Sequence, residues 1–438
     1  MKREISQVLA DMICDEKRKE VIIIEGARQV GKSYLVNDVL QSLKHSCHSF
    51  DFEKHARVRR QIDRTTDFHD FQTLFIDQYG VKKGDILFFD EAQECASLAN
   101  YIKSFKEDWP EVKVILTGSS MNRLFSKGKR IPVGRMRSLC VFPFSFIEFL
   151  KHLRGNDLPD FIKSCPENIP SSRHELLLKY FDEYIGVGGY PEAVQAYKDA
   201  QSPYEVIDEI IAFLSEDFAR KEEHHPRLFQ NAIQAVADHI GGPSKYTHIN
   251  TNKYQVRKVI EAMKAWHIVL EVEQRALDPQ KRNFLPKRYL HDIGVINRQR
   301  TMMIPKISII KTIDPALRTP LGGLFENAVL LNLLEGESAY KSIGTWKKGN
   351  NTDIEIDFVL DIPEERVSIP IECKAALKLY DRHFKNIVHY LNATQQSFGI
   401  LISAAPFQVK TLGNKTMINL PVYLASRKNI RNYYFRLK

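Results

Sequence analysis

The segment Gly26-Ala27-Arg28-Gln29-Val30-Gly31-Lys32-Ser33 has residue types and a spacing suited to holding phosphates. It fits G-x-x-x-x-G-K-[ST], in which two glycines let the backbone wrap closely around an anion. The N–H groups of Gly26, Ala27, Arg28, Gln29, Val30 and Gly31, with the start of the following helix, supply partial positive charge. Lys32 is then placed to reach β- and γ-phosphates, and Ser33 to ligate Mg²⁺ through its hydroxyl. A second segment, Ile86-Leu87-Phe88-Phe89-Asp90-Glu91, is an apolar run ending in two carboxylates. Asp90 is the expected holder of Mg²⁺, and Glu91 the expected base that orients and polarises an attacking water. The chemistry this predicts is Mg²⁺-dependent binding and hydrolysis of ATP.

Two further positions bear on that chemistry. Val112–Thr117 ends in Gly118-Ser119-Ser120, so Thr117, Ser119 and Ser120 are candidates to sense the γ-phosphate, with Ser119 assigned to the nucleotide. Arg135 is a candidate arginine finger, a cation that offsets negative charge in the transition state. The plainer alternatives are an ordinary turn and a surface arginine.

These side chains need elements to position them. Val21–Glu25, Ser49–Glu53, Ile86–Asp90 and Val112–Thr117 are short runs rich in β-branched or aromatic residues, with helix-like segments between them, Lys32–Leu43 among these. Buried strands alternating with helices predict an α/β fold with a parallel sheet covered by helices on both faces. Residues 151–240 read as helical, with a turn at Gly186, Gly188, Gly189 and Pro191. Residues 241–305 read as winged-helix-like, from a helix Thr251–Trp266 running into a strand His267–Glu273. Residues 306–438 read as α+β, with helices Leu324–Leu334 and Asp381–Leu391 and strands Ile354–Leu360 and Ser368–Cys373. The domain plan is therefore 1–150, 151–240, 241–305 and 306–438. A chain of 438 residues exceeds what one core usually supports.

The motifs GARQVGKS, ILFFDEAQ, ILTGSS and VGRMRSLCVFPFSFIEFL resemble those of the AAA-type ATPases widespread in bacteria and archaea. GVGGYPEAV, RYLHDIGVIN, GGLFENAVLLNLL and IEIDFVL with IPIECKAA continue the resemblance, from about residue 15 to 380. It implies a P-loop NTPase core of the AAA superfamily, then a winged-helix-like part, then a restriction-endonuclease-like domain of uncharacterised function. It strengthens the finger reading of Arg135. Many AAA-type ATPases act as rings, so an oligomer enters among the expected arrangements.

Asp357 followed by Glu372-Cys373-Lys374 resembles the D…[D/E]-x-K pattern of restriction-endonuclease-like nucleases. There Asp357 and Glu372 would hold Mg²⁺ and Lys374 would orient water, with Glu326 as a further carboxylate. Strand alternation puts Glu372 and Lys374 on one face. E-x-K pairs on strands are commonly plain salt bridges, so cleavage stays one of two readings.

Charge points to an anionic partner. Lys plus Arg number 63 against 54 Asp plus Glu, a formal charge of +9. Lys253, Arg257, Lys258 and Lys264 on one helix, and the cluster Lys281, Arg282, Lys287 and Arg288, are candidate phosphate contacts for DNA, or else a solvated face. Trp266 and Tyr289 read as core. Six scattered cysteines form no C-x-x-C pair, which fits a reducing cytoplasm. Met1–Glu20 lacks the apolar stretch of a signal peptide, and no run is long enough to span a bilayer, so no membrane partner is expected. The two outputs in view are ATP turnover coupled to DNA binding or processing, and a nucleotide-controlled switch that binds a protein partner.

Overall fold

The structure, a computed structural model, describes residues 3–121, 124, 134–222, 225–242, 253–275, 285–300, 306–312, 315–334, 342–349 and 354–438. It falls into two compact units. The first takes the described residues up to Phe142 together with Ala265–His267. The second takes Pro143–Lys264 and the described residues from Ile268 onward.

The first unit runs α1 (Ser6–Cys14), β1 (Val21–Glu25), α2 (Lys32–Leu43), β2 (Cys47–Asp51), α3 (Ala56–Arg64), α4 (Phe68–Tyr79), β3 (Ile86–Asp90), α5 (Ile102–Glu107), β4 (Lys113–Gly118) and β5 (Met136–Cys140). Its five strands lie in the order β2-β3-β4-β1-β5 and are parallel throughout. β1 is interior to the sheet, which explains its uninterrupted aliphatic run: Val21 through Ile24 are all buried. Each such side chain contributes about 2 kcal/mol by leaving water. Phe50, Phe52, Phe71, Phe75 and Phe89 pack with α3–α5 residues into an aromatic-rich core. This is a P-loop NTPase α/β sheet, and every strand points its C-terminal end the same way. β5 stands at one edge and was not among the expected strands.

The second unit begins with helices α6 (Phe146–Arg154), α7 (Asp157–Lys163), α8 (Ser171–Val187), α9 (Pro191–Lys198), α10 (Pro203–Glu222) and α11 (Pro226–Asp238). α12 (Lys253–Ala265), β6 (Val269–Val272), β7 (Gln274–Arg275), β8 (Lys287–Leu290) and α13 (Ile293–Gln299) follow. β6 and β8 pair antiparallel as a two-stranded ribbon. The rest is α14 (Pro315–Leu333), β9 (Ile343–Lys347), β10 (Glu355–Ile362), β11 (Val367–Lys374), α15 (Lys385–Thr394), β12 (Phe398–Ser403), β13 (Gln408–Leu412), β14 (Lys415–Pro421) and α16 (Arg427–Leu437). A seven-stranded mixed sheet runs β13-β14-β12-β11-β10-β9-β7. β10 and β11 form an antiparallel pair, whereas β11, β12 and β14 run parallel. Further α and β regions thus follow the parallel sheet.

Buried polar side chains tie the second unit together. Asn327 accepts the Leu290 N–H and donates to the Leu290 carbonyl, both at 3.0 Å, which pins α14 to β8. Asp292 accepts the N–H of Gly189 at 2.7 Å and of Val295 at 3.1 Å, so one carboxylate caps α13 and holds the α8–α9 turn. Burial pushes its carboxyl up to about 6, partly offset by those backbone donors. Gly188 has φ +89, and a Cβ there would lie 2.6 Å from an Asp292 oxygen. The paired segments GVGGYPEAV and RYLHDIGVIN are two halves of this one joint.

Candidate nucleotide site and a buried carboxylate centre

β1 delivers the chain to Gly26, and α2 begins at Lys32. The loop between them needs left-handed backbone at Gln29 (φ 63) and Gly31 (φ 88), and Gly26 has φ 150. A Cβ on Gly26 would lie 2.2 Å from the Val141 carbonyl oxygen, so no larger residue fits. Ser33 is the second residue of α2, at the helix end whose free N–H groups attract anions. The Lys32 ammonium is buried, at 5 % exposure, and donates to the carbonyls of Gly26 (3.0 Å) and Ala27 (2.9 Å). Burial lowers its pKa, while the charges of Glu91 and Asp90 oppose that shift.

β3 ends in Asp90, one strand beyond β4, which itself neighbours β1. Two strand spacings separate the two motifs, about 10 Å, which is room for phosphates and a cation. Asp90 Oδ1 accepts the Glu91 N–H at 3.1 Å and a short bond from the Thr117 hydroxyl. Thr117 is thereby committed to orienting Asp90. Glu91 sits in left-handed backbone, φ 51, a conformation costing a residue with a side chain about 1 kcal/mol. The turn carries its carboxylate to Arg28, 3.7 Å away, and to the Gln93 amide, which donates to Glu91 Oε2. Burial raises the Glu91 pKa, and Lys32 and Arg28 pull it part of the way back. Arg28 also pairs with Glu53 at 2.5 Å.

Ser119 is 1 % exposed, and its hydroxyl has no hydrogen-bond partner among the described residues. With Thr117 already used, Ser119 and the equally buried Ser120 are left at the end of β4. A buried, unsatisfied hydroxyl beside a phosphate-shaped loop fits a nucleotide with its Mg²⁺. Ser33 and Asp90 are the side chains that would hold the cation, which when bound offsets phosphate charge.

Arg135 is placed elsewhere. Its carbonyl accepts the Val21 N–H, so it lies at the start of β5, beside the start of β1. Five residues of strand, about 16 Å, separate that level from Gly26. Its guanidinium pairs with Glu107 at 2.9 Å. The first unit does not bring Arg135 to its own phosphate loop.

His267 and Cys140 were not singled out in the sequence. His267, left-handed at φ 57, contacts Cys140 Sγ through Nδ1 (3.6 Å) and Glu25 Oε2 through Nε2 (3.1 Å). Glu25 immediately precedes Gly26. Burial alone would lower the imidazole pKa, but Cys140 and Glu25 outweigh it and raise it to about 10. A group raised on folding stabilises fully below its unfolded pKa, about 6.5, and loses that contribution as pH climbs towards 10. His267→Ala should therefore cost about 2 kcal/mol at pH 6. The gap from wild type should close between about pH 6.5 and 10, as read from urea unfolding at pH 6, 8 and 10. A gap constant with pH would contradict the charged imidazole.

In the second unit the other four predicted side chains do come together. Asp357 on β10 accepts the Cys373 N–H at 2.8 Å. Glu372 on β11 is 2 % exposed and pairs with Lys374 at 2.9 Å. Glu326 reaches in from α14. The Lys287 ammonium from β8 stands among them, 3.0 Å from Glu326, 3.3 Å from Asp357 and 2.6 Å from Glu355. Tyr289 donates to Glu326 at 2.5 Å. Among the described residues no group of three or more His, Cys, Asp or Glu is arranged to hold a metal ion. With Lys287 between Glu326 and Asp357, the side chains present do not fit the divalent ion that the D…[D/E]-x-K pattern implies there, and Glu372 Oε2 is left buried with no hydrogen-bond partner among the described residues.

The basic cluster is also corrected in part. Lys287 and Arg288 are buried, and Arg288 pairs with Glu271 at 2.8 Å, so neither faces a phosphate backbone. Adjacent strand residues point to opposite faces, and each meets its own carboxylates. Lys281 and Arg282 lie outside the described residues. On α12, Lys264 pairs with Glu261 and Glu271. Arg257, Lys258 and Tyr254 are exposed there, with the Lys258 ammonium 5.3 Å from the Tyr254 ring centre. Trp266 and Tyr289 are buried as read. No described helix is long and apolar enough to cross a membrane.

Residues 18–150 match a family model described as an AAA domain. Residues 178–303 and 321–423 match two models described as domains of unknown function, DUF8612 and DUF4143. An uncharacterised protein of Methanocaldococcus jannaschii is 25% identical over 195 residues, 44% of this chain and 40% of its own length. One of Haemophilus influenzae is 24% identical over 240 residues, 53% of this chain and 55% of its own. The chain thus spans about half the length of these curated relatives. Among solved structures, the Walker-type ATPase of Pyrococcus abyssi aligns at TM-score 0.43 and 15% identity, over 68% of this chain and 95% of that one. The RuvB Holliday junction branch migration motor of Thermotoga maritima aligns at TM-score 0.29 and 13% identity, over 66% and 92%. At such scores the assignment rests on the domain match, the sheet order and the loop. The first unit has the fold of an AAA-type P-loop ATPase.

Proposed function

We propose that this chain binds ATP with Mg²⁺ and hydrolyses it, and that turnover is coupled to DNA through the second unit. The observation that carries the ATP reading is the loop Gly26–Ser33, held open by left-handed backbone, two strand spacings from an acidic pair whose Glu91 is partly buried and aimed by Arg28 and Gln93. Loop N–H groups and Lys32 bind the phosphates. Ser33 and Asp90 hold the cation, Thr117 orients Asp90, and Ser119 meets the γ-phosphate or the attacking water. Glu91 takes the proton of that water. Arg135 would serve as a finger only for the nucleotide of a neighbouring copy in an oligomer.

The domain plan with a winged-helix-like part over 241–305 and a nuclease-like part over 306–438 belongs to this proposal. Support for DNA is the exposed Tyr254, Arg257 and Lys258 on α12, a set suited to phosphate contact. Steady-state ATP hydrolysis with Mg²⁺, with and without duplex DNA, is the test. A DNA-stimulated rate is expected. Arg257→Ala with Lys258→Ala should remove at least half of the stimulation and leave the basal rate. A rate indifferent to DNA would move the coupling to the second reading, a nucleotide-controlled switch that binds a protein partner. The ammonium filling the carboxylate centre favours that reading's inactive nuclease-like domain.

A further inference from the structure

We propose that Lys287 is a built-in replacement for the metal ion of the nuclease-like centre, so that this centre binds no divalent cation and does not cut. The proposal builds on the nuclease-like reading of the second unit and is independent of ATP turnover in the first.

An ammonium has three N–H donors and no acceptor. Lys287 places its three donors within reach of three carboxylates from two elements, Glu326 on α14 and both Glu355 and Asp357 on β10. It is 4 % exposed, so the ammonium is shielded from water and survives only because those carboxylates surround it. A divalent ion shared by Glu326 and Asp357 would have to occupy the same space and would meet a like charge there. Lys374, more exposed than Lys287, takes one further carboxylate of the centre. Its ammonium lies 2.9 Å from Glu372 Oε1, which also accepts from the Asn386 amide at 3.3 Å. Asp357 spends its second oxygen on the Cys373 N–H.

Four carboxylates, Glu326, Glu355, Asp357 and Glu372, face the two ammonium groups of Lys287 and Lys374. Lys287 arrives from β8, whose partner β6 ties it to the ribbon, and Tyr289 from the same strand donates to Glu326. Two residues of one strand therefore close the centre, and Asn327 fixes that strand against α14 through Leu290.

The test is Mn²⁺ binding to the full nucleotide-free chain, followed by electron paramagnetic resonance of free Mn²⁺. Wild type should show no site tighter than the millimolar range, and Asp357→Asn should leave the titration unchanged. Lys287→Met keeps the apolar stem and removes the charge. It should gain Mn²⁺ affinity at least tenfold, and adding Asp357→Asn should abolish the gain. A micromolar Mn²⁺ site in wild type that disappears in Asp357→Asn overturns the proposal, as does a folded Lys287→Met chain with no gain. If Lys287→Met fails to fold, the wild-type and Asp357→Asn titrations decide alone. ATP turnover serves as a separate readout, so failure here is not mistaken for failure of the nucleotide site.

Discussion

Lys32→Ala should lower ATP affinity about 100-fold, close to 3 kcal/mol, while the chain stays folded. The ammonium lies inside the phosphate loop and, among the described residues, is hydrogen-bonded to the Gly26 and Ala27 carbonyls. Those two oxygens are weak partners for a desolvated cation, and burial lowers its pKa accordingly. A β- and γ-phosphate pair is a far stronger partner, so binding energy is concentrated on this group. Removing it takes a poorly compensated charge out of the interior, so the unfolding transition should move by less than about 1 kcal/mol. Arginine should not rescue, because a planar guanidinium is larger than the space a 5 % exposed lysine occupies. Equilibrium binding of a fluorescent ATP analogue, with circular dichroism as the folding control, gives the answer. Undiminished affinity in Lys32→Ala would remove Gly26–Ser33 as the nucleotide site.

How far such a site can be read from residue order depends on how each residue earns its place. β1, α2 and β3 have the bounds the sequence implied, because an interior strand shows itself as an unbroken aliphatic run and a phosphate loop has fixed spacing. β5 stayed hidden for the converse reason. In Met-Arg-Ser-Leu-Cys, on the sheet edge, only Leu139 is buried, so neither alternation nor a continuous run marks it. Arg135 lies at the end of the sheet away from its own phosphate loop, since its level depends on the β1–β5 register, which no local pattern encodes. His267 reaches Glu25 across 242 residues, a separation at which motif spacing has no meaning. Lys287 and Arg288 read as a basic surface because charge counts ignore burial, and their partners Glu326, Glu355, Asp357 and Glu271 are scattered along the chain. Where polar residues are matched to distant partners, composition suggests a ligand and packing supplies a counter-ion.

Glu91→Gln should separate binding from chemistry. The substitution keeps the shape and the hydrogen-bonding reach towards Gln93 and Arg28 while removing the base, so ATP affinity should stay within about threefold and kcat should fall by 10² or more, about 3 kcal/mol of barrier. Thr117 and the Glu91 N–H continue to hold Asp90, which leaves the cation ligands in place. The pH profile carries a second signature. Burial raises the Glu91 pKa above its ordinary value of 4.5, against the pull of Lys32 and Arg28. A general base works only when deprotonated, so the wild-type rate should fall with acid through an apparent pKa above 4.5, and that limb should be missing from the residual rate of Glu91→Gln. Gln93→Ala should shift the same limb further upward, because its amide donates to the charged form of Glu91 and so favours deprotonation. Single-turnover hydrolysis from pH 5 to 9, with nucleotide affinity measured in parallel, tests all three statements. A Glu91→Gln chain that turns over at the wild-type rate would move the base to another group, and a rate loss that tracks lost ATP affinity would make Glu91 a binding residue instead.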